Sequence, residues 1–211
     1  MTAAKNQPTV RQQQREETRK RILNAAIENF SQAGFEAASL SDIAKKAGVK
    51  KALVQYHFST KELLWRDSAT LIWTERNREL SALMGARNDT DYRARMRSAF
   101  IAVVEFTRRK PYWLWFMFHE GAANGSRLQW LIDTFIDEDY TRGQAFIRDY
   151  QARGLVREGS PLQLIQLISG ALTYNLLVAP QTLRATQQDL MRGEAISEQV
   201  DLLLAMLTPP T

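Results

Sequence analysis

Residues 39–58 read SLSDIAKKAGVKKALVQYHF, and the first half of this stretch predicts a short helix that ends in a tight turn. Ser39 and Asp42 form an S-x-x-D start, in which each side chain accepts a hydrogen bond from a free backbone N–H of the first turn. Gly48 then supplies a left-handed residue, which ends the helix without a clash at Cβ. The sequence therefore sets both ends of this helix locally.

The second half of the same stretch predicts another short helix over Lys50–His57, with Leu53 or Val54 facing inward. Its Lys, Gln, Tyr and His side chains are types that bond to phosphates and base edges. Two short helices joined by a glycine-containing turn predict a helix-turn-helix that reads DNA. An ordinary corner between two helices, with a solvated basic face, is the alternative interpretation.

A longer helix is predicted before this motif, over Arg11–Ala33. Its buried face repeats at three- and four-residue spacing: Ile22, Ala26, Ile27 and Phe30. Basic side chains crowd its N-terminal half: Arg15, Arg19, Lys20 and Arg21. Because cations oppose the positive end of the helix dipole, this arrangement favours an outside anion such as a DNA phosphate. Residues 1–10 are polar and lack periodicity, which predicts a disordered arm.

Positions throughout this region match a known family in one continuous order. They are Thr18-Arg19, Ile22-Leu23, Ala25-Ala26, Phe30, Gly34-Phe35, Asp42-Ile43-Ala44, Ala47-Gly48-Val49, Tyr56-His57-Phe58 and Lys61-Glu62-Leu63. Over about residues 15–65 the chain resembles the N-terminal domain of the TetR/AcrR family of bacterial transcriptional repressors. The resemblance implies an all-α fold, with a three-helix head that carries the helix-turn-helix and a C-terminal helical body that binds a ligand and dimerises.

The resemblance also implies which residues contact DNA. Lys50, Lys51 and Ala52 fall where the family reaches base edges, at the start of the second motif helix. Gln55 fits either a bidentate bond to adenine or a solvated position. The matches to phosphate-bonding positions are Ser39, Tyr56, His57 and Lys61. The family often has Thr, Thr and Tyr at three positions where this chain departs from it: Ala38, Leu53 and Gln55. These departures weaken any transfer of base preference.

The positive charge of the chain is concentrated in the same region. The net charge is +5 over 211 residues, but residues 1–66 hold 12 Lys and Arg against 6 Asp and Glu, whereas residues 67–211 hold 16 against 17. A phosphate backbone selects localised positive charge. A solvated basic surface is the alternative, but the charge coincides with the motif, which favours DNA.

The rest of the chain predicts helices throughout, with no strand and no internal repeat. The predicted helices cover Thr60–Met84, Tyr92–Arg109, Tyr112–Glu120, Ser126–Arg153, Leu162–Val178 and Ile196–Leu207. Pro180 is expected to break the helix before it, and residues 180–195 to form a short helix or a loop. The predicted division is an arm over 1–10, a DNA-binding domain over 11–62, and a ligand-binding and dimerisation domain over 63–208.

Five aromatic residues crowd the segment Tyr112–Phe118, and His119 and Glu120 follow at once. Aromatic side chains at helical spacing are usually core, yet five within seven residues exceed what one helix face buries. The sequence therefore predicts a pocket between helices for a small apolar or aromatic effector. The candidate lining is Trp113, Phe116, Met117, His119, Glu120, Trp130 and Asn175. In the resembled family, the helix predicted over Thr60–Met84 transmits ligand binding to the head.

The predicted helix Leu162–Val178 is apolar on more than one side, and a helix with two apolar faces must bury both. One face fits the protein's own body, and the other needs a partner, for which we expect a second copy. With the last helix it predicts a four-helix homodimer interface. The residues assigned to it are Leu164, Ile168, Leu172, Val200, Leu203, Leu204 and Leu207.

The sequence offers no catalytic or metal-binding pattern. It contains no cysteine and only two histidines, His57 and His119. It shows no zinc spacing, phosphate-binding loop, dinucleotide fingerprint or nucleophile elbow. We therefore predict no enzymatic activity, no metal and no cofactor.

Cysteine usage and hydropathy bear on the compartment. The lack of cysteine fits a reducing cytoplasm, and the polar N-terminus has no apolar signal-peptide core. The longest run of large apolar residues, Trp113–Phe118, is too short to cross a bilayer. We predict a cytoplasmic protein without a membrane partner.

These expectations combine into one functional hypothesis. The protein is a homodimeric regulator, a repressor, which binds a partly palindromic operator in double-stranded DNA and releases it when a small molecule occupies the body. An all-helical enzyme and an architectural DNA-binding protein without an effector are the alternatives.

Overall fold

The structure, a computed structural model, describes residues 9–85 and 91–209 of the chain. Regular structure in these two ranges is entirely helical, which confirms the predicted all-α class. The first six helices are α1 (Val10–Ala37), α2 (Leu40–Ala47), α3 (Lys51–His57), α4 (Lys61–Gly85), α5 (Tyr92–Arg109) and α6 (Tyr112–Ala123). They are followed by α7 (Ser126–Leu131), a π-helical turn (Ile132–Ile136), α8 (Asp137–Ala152), α9 (Pro161–Thr186) and α10 (Gly193–Leu207).

The helices form two compact units. The first comprises the described residues up to Thr74 together with Tyr112–Ala123, and the second comprises the described residues of Glu75–Pro111 and those from Asn124 onward. This division differs from the predicted boundary between residues 62 and 63, because α4 contributes to both units and α6 belongs to the first.

Helix α1 begins at a capping box. The side chain of Thr9 accepts a hydrogen bond from the backbone N–H of Gln12 at 3.3 Å, and the Gln12 side chain accepts one from the Thr9 N–H at 2.8 Å. Two residues of the predicted disordered arm, Thr9 and Val10, thus belong to the start of α1, and residues 1–8 lie outside the described residues. At the other end, Gly34 (φ 72°) kinks the helix, which continues to Ala37.

The local signals of the helix-turn-helix are confirmed. The Asp42 N–H donates to Ser39 Oγ at 3.0 Å, which caps α2. Gly48 has φ 66° and ψ 36°, the left-handed conformation that the sequence predicts. The Val49 N–H then donates to the Ala44 carbonyl at 3.0 Å. This bond closes the end of α2 and sends the chain into α3.

Helix α6 completes the core of the first unit. The ring of Phe116 stacks on Trp65 at a centroid distance of 5.7 Å and meets Phe30 edge-on at 6.4 Å. Other buried side chains of this unit are Ile22, Ile27, Ile43, Val54, Leu64, Trp73 and Leu114. Part of the aromatic density of α6 therefore serves the packing of the first unit.

The core of the second unit is built by α5, α8, α9 and α10. Its buried cluster contains Met96, Phe100, Val104, Ile147, Tyr150, Leu164, Ile168, Leu172, Ile196, Val200, Leu203, Leu204 and Leu207. Every residue predicted to form the dimer interface is in this cluster, so that assignment is wrong. Those side chains face helices of their own chain, and the faces of α9 and α10 that stay exposed carry other residues.

Helix α9 differs from its prediction because it runs through Pro180 and ends only at Thr186. Proline has a helical φ and removes one backbone donor, so it weakens a helix without always ending it. Helix α9 is long enough and apolar enough, by composition, to cross a membrane. Its apolar residues are interrupted by polar ones, so the length of unbroken apolar runs does not reveal it. Such a helix is weak evidence for a membrane, and one face of α9 is already part of the core.

Candidate nucleic-acid interface

Helix α3 is fixed by one buried side chain and exposes most of the others. Val54 is 0% exposed, and the Phe58 N–H donates to the Val54 carbonyl at 2.8 Å where the helix ends. The side chains that remain exposed are Lys50, Lys51, Ala52, Leu53, Gln55 and Tyr56. All four residues predicted to reach base edges are in this exposed set, Lys50 as the N-cap of α3 and the other three on the helix itself.

The sequence pattern allows either Leu53 or Val54 to be the residue of α3 that faces the core. A helix turns by about 100° per residue, so adjacent residues cannot both face the core. In the structure Val54 faces inward, and Leu53 remains 37% exposed. No DNA contact is predicted for Leu53 from the sequence. Spacing separates the two only once the burial of Phe58 is known, because Val54 lies one helical turn, four residues, before Phe58, whereas Leu53 lies five residues before it.

His57 lies at the C-terminal end of α3 and is only half-buried. Burial lowers its pKa, the neighbouring guanidinium groups of Arg15 and Arg19 lower it further, and Glu16 opposes them. The imidazole is therefore held neutral more strongly than an ordinary histidine. Its Nδ1 is buried and has no hydrogen-bond partner among the described residues.

The basic side chains of α1 lie against this part of the motif. The Arg15 guanidinium is 5.8 Å from the ring centroid of Tyr56, and that of Arg19 is 5.1 Å from Phe58. Arg19 also pairs with Asp67 at 2.5 Å. No residue of α1 before Ile22 is buried. The first three turns of α1 thus present arginines beside α3 without contributing to the core.

Two predicted phosphate contacts have partners within the protein. Ser39 Oγ accepts from the Asp42 N–H and donates to Asp42 Oδ2 at 2.6 Å. Lys61 Nζ donates to the Glu36 carbonyl at 3.2 Å and lies 4.5 Å from the ring centroid of Phe35. An ammonium group has three donors, so the bond to the carbonyl leaves Lys61 able to bond a phosphate as well.

The residues of the predicted effector pocket are divided between the two units. Five lie on α6 in the first unit, Trp113, Phe116, Met117, His119 and Glu120, whereas Trp130 and Asn175 belong to the second. Within the first unit Phe116 and Glu120 are buried. The prediction that Phe116 lines the pocket is wrong, because Trp65 and Phe30 already cover its ring.

His119 also has a packing role within the first unit. Its Nε2 is 3.0 Å from the carbonyl oxygen of Ser31. A Cβ placed on Gly34 would lie 3.1 Å from the His119 ring, so glycine is needed there both for its positive φ and for this close approach. The α1 kink and His119 therefore fit each other. No group of three or more potential metal ligands occurs among the described side chains.

Comparison with known proteins gives a family match within the first unit. Residues 22–66 match the model of a family described as bacterial regulatory proteins, tetR family. This segment of the chain is similar to the N-terminal segment of the tetR family. The matched segment starts at the first buried residue of α1 and includes α2, α3 and the first turns of α4, so the tetR motif and the exposed face of α3 coincide.

Curated relatives match less than half of this chain. The HTH-type transcriptional regulator AcrR of Shigella flexneri is 34% identical over an alignment of 103 residues, and the match covers 45% of this chain and 44% of AcrR. The HTH-type transcriptional activator FasR of Mycolicibacterium smegmatis is 37% identical over 92 residues, 44% of this chain and 41% of FasR. The match thus spans less than half the length of either relative.

The solved structures extend the likeness to the whole fold. AibR, solved in complex with isovaleryl coenzyme A and operator DNA, superposes with a TM-score of 0.71 over 92% of this chain and 100% of AibR. The two sequences are 16% identical. At that identity the likeness establishes a shared fold for the helices beyond the tetR motif.

Proposed function

We propose that this protein is a sequence-specific transcriptional regulator that binds operator DNA through α3. One observation carries the proposal. Val54 anchors α3 so that its N-cap Lys50 and its residues Lys51 and Gln55 all remain exposed, with side chains that suit the major groove. The excess of basic residues in the first 66 positions and the tetR motif over the same helix support it.

The proposed DNA-binding form is a homodimer joined through α9 and α10. Six large apolar side chains of these helices are exposed in the single chain: Leu162, Leu167, Tyr174, Leu183, Leu202 and Met206. Patches of this kind mark interaction sites. A second copy presents the same patch, and a two-fold interface would let two copies of α3 read the two halves of a partly palindromic operator.

The proposed control is by a small apolar or aromatic effector that releases the DNA, as expected for a repressor. Two observations support an effector site and an effector class, and release of the DNA is the part that the experiment below tests. The π-helical turn Ile132–Ile136, a form frequent at functional sites, follows Trp130 closely in the chain. The AibR complex holds an acyl-coenzyme A together with operator DNA, so acyl-coenzyme A thioesters are the first effector class to test. Release requires that the effector prefer a conformation that does not bind DNA.

The decisive experiment begins with selection of bound sequences from a pool of randomised duplexes. The expected result is a partly palindromic motif, bound at least about a thousandfold more tightly than random DNA. Recovery of no motif, with binding that depends on salt alone, would instead indicate an architectural DNA-binding protein. Titration of the complex with an acyl-coenzyme A series then tests release. DNA that stays bound throughout the series would refute this effector class.

A further inference from the structure

Helix α3 carries an exposed leucine among side chains that suit polar recognition. Leu53 and Tyr56 are its large exposed hydrophobic residues, and Ala52, next to Leu53, is exposed as well. Tyr56 already has neighbours, since Arg15 lies over its ring and His57 meets it edge-on at 5.4 Å. Leu53 and Ala52 therefore form a small apolar step on the surface of α3.

The packing of the first unit does not account for this apolar step. Val54 and Phe58, which are 0% and 3% exposed, fix α3 to the core, whereas Leu53 lies on another side of the same helix. An exposed leucine on a surface is common and needs no explanation by itself. Here it stands between Lys51 and Gln55, on the helix proposed to enter the major groove, where its surroundings are base edges.

The major groove offers one apolar group to such a side chain. Base edges there present hydrogen-bond donors and acceptors, except for thymine, whose C5-methyl group projects into the groove. Lysine and glutamine suit the acceptors of guanine and the donor–acceptor pair of adenine, but a leucine can bond to neither. Its favourable contact is with the methyl group, since both surfaces leave water together.

We infer that Leu53 is a specificity-determining residue, which packs against the C5-methyl group of a thymine in each half of the operator. This inference rests on the proposed function and adds the base class that α3 reads at this position. Ala52 lies beside it and admits the base edge without competing for the same space.

The test removes the methyl group without changing base pairing. Each thymine of the selected operator is replaced in turn by deoxyuridine, at symmetric positions in both halves, and the affinities of the wild-type protein and Leu53→Ala are compared. Loss of one buried methyl group corresponds to about a fourfold weaker affinity, so a symmetric pair should cost about fifteenfold. One pair of positions should show this loss with the wild type and almost none with Leu53→Ala.

A second substitution restores the methyl group on another base. At the same positions, 5-methylcytosine should bind the wild-type protein more tightly than cytosine, and this difference should vanish with Leu53→Ala. Leu63→Ala is the matched control, because it shortens an exposed leucine on α4 of the same unit. It should keep the full deoxyuridine penalty.

The outcomes separate this inference from the proposed function. Equal deoxyuridine penalties for the wild type and Leu53→Ala at every thymine would overturn the methyl contact, and would place Leu53 against the sugar-phosphate backbone or away from DNA. Failure of the wild type to select any sequence would overturn the proposed function itself. Thermal unfolding checks that Leu53→Ala stays folded, as expected for a side chain outside the core; a Leu53→Met variant, which retains an aliphatic contact, should keep most of the penalty.

Discussion

The exposed face of α3 in the first unit and the exposed faces of α9 and α10 in the second differ in chemistry, although all three helices bury their other side. On α3 the exposed residues are basic or polar, apart from Tyr56 and the apolar step at Ala52 and Leu53. On α9 and α10 they include large apolar side chains such as Tyr174 and Met206. An anion suits the first surface and an apolar partner suits the second. The proposed function therefore needs both units, one for DNA and one for the second copy.

The largest expected effect is a difference in stability between substitutions on the buried and exposed sides of α10. Leu204 is 3% exposed and Leu202 is 61% exposed, two residues apart. Leu204→Ala should lower the free energy of unfolding by about 2–5 kcal/mol, because it leaves a cavity in the second unit's core. Leu202→Ala should lower it far less in the monomer. Urea denaturation at several protein concentrations measures both, and equal losses in dilute protein would contradict this division of the helix.

The next effect tests the occupant of the exposed apolar face. Leu202→Glu would place an unpaired charge in a dimer interface, which should weaken association by at least about a hundredfold. Leu202→Met is the control and should stay dimeric. Sedimentation velocity at micromolar concentration measures the oligomeric state of each variant. A monomeric wild type would refute the dimer, and wild-type protein that floats with liposomes would place α9 in lipid instead.

A smaller effect is expected at the polar residues of α3. Lys51→Ala and Gln55→Ala should each lower specific binding by about 1–3 kcal/mol while leaving binding to random DNA almost unchanged, because base contacts carry the specificity. Arg148→Ala removes one exposed cation from α8 and serves as the control. Equal losses on operator and random duplexes would show that Lys51 and Gln55 contact only the backbone.

The basic first turns of α1 should contribute to binding without contributing specificity. Arg15→Ala, beside Tyr56, should lower the salt dependence of binding by about one unit for each bound protomer, on all sequences. Lys20→Ala carries the same charge change on the same helix, about 140° away around its axis, and should have less effect. The slope of log affinity against log salt concentration, measured for both variants, tests this. Equal slopes for Arg15→Ala and Lys20→Ala would show that Arg15 has no specific contact with the DNA.

The smallest expected effect is a pH dependence at His57. Its pKa is lowered in the free protein, so stability that depends on the neutral imidazole is present above pH 6.5 and declines as the pH falls towards the lowered pKa. A phosphate beside the ring would raise that pKa, and DNA binding would then take up a proton and strengthen as the pH falls from about 7.5 to 6. Operator affinity measured across this range should show the trend. His57→Gln should abolish it, and His119→Gln, the other histidine, should keep it.

The two units also differ in how much of them the sequence predicts. In the first unit the cap at Ser39, the left-handed Gly48 and the bounds of α2 follow from side chains that bond backbone groups within a few residues. The family resemblance rests on the same compact pattern. The packing inside the first unit is harder to predict from the sequence, because Phe116 contacts Trp65 and Phe30 from a helix that is remote in the sequence.

In the second unit the helices are predictable but their faces are not. The apolar sides of α9 predict two partners, one within the chain and one outside it, whereas α10 shows a single apolar stripe. Both helices bury one face and expose apolar residues on another. The predicted interface residues lie on the wrong side, since Leu204 packs inward and Leu202 stays exposed. Spacing identifies the apolar stripe of α10, but it does not say whether helices of the same chain or of a second copy cover that stripe.

The helical class, the helix-turn-helix with its caps, and the concentration of positive charge over the same residues all follow from the amino-acid sequence. These features depend on interactions within three or four residues, or on composition. Three others follow from the packed fold: Val54 rather than Leu53 faces inward, α6 packs in the first unit, and one particular side of α10 is covered. They depend on the shape of helices that pack against each other from distant parts of the chain, and no local pattern encodes that shape.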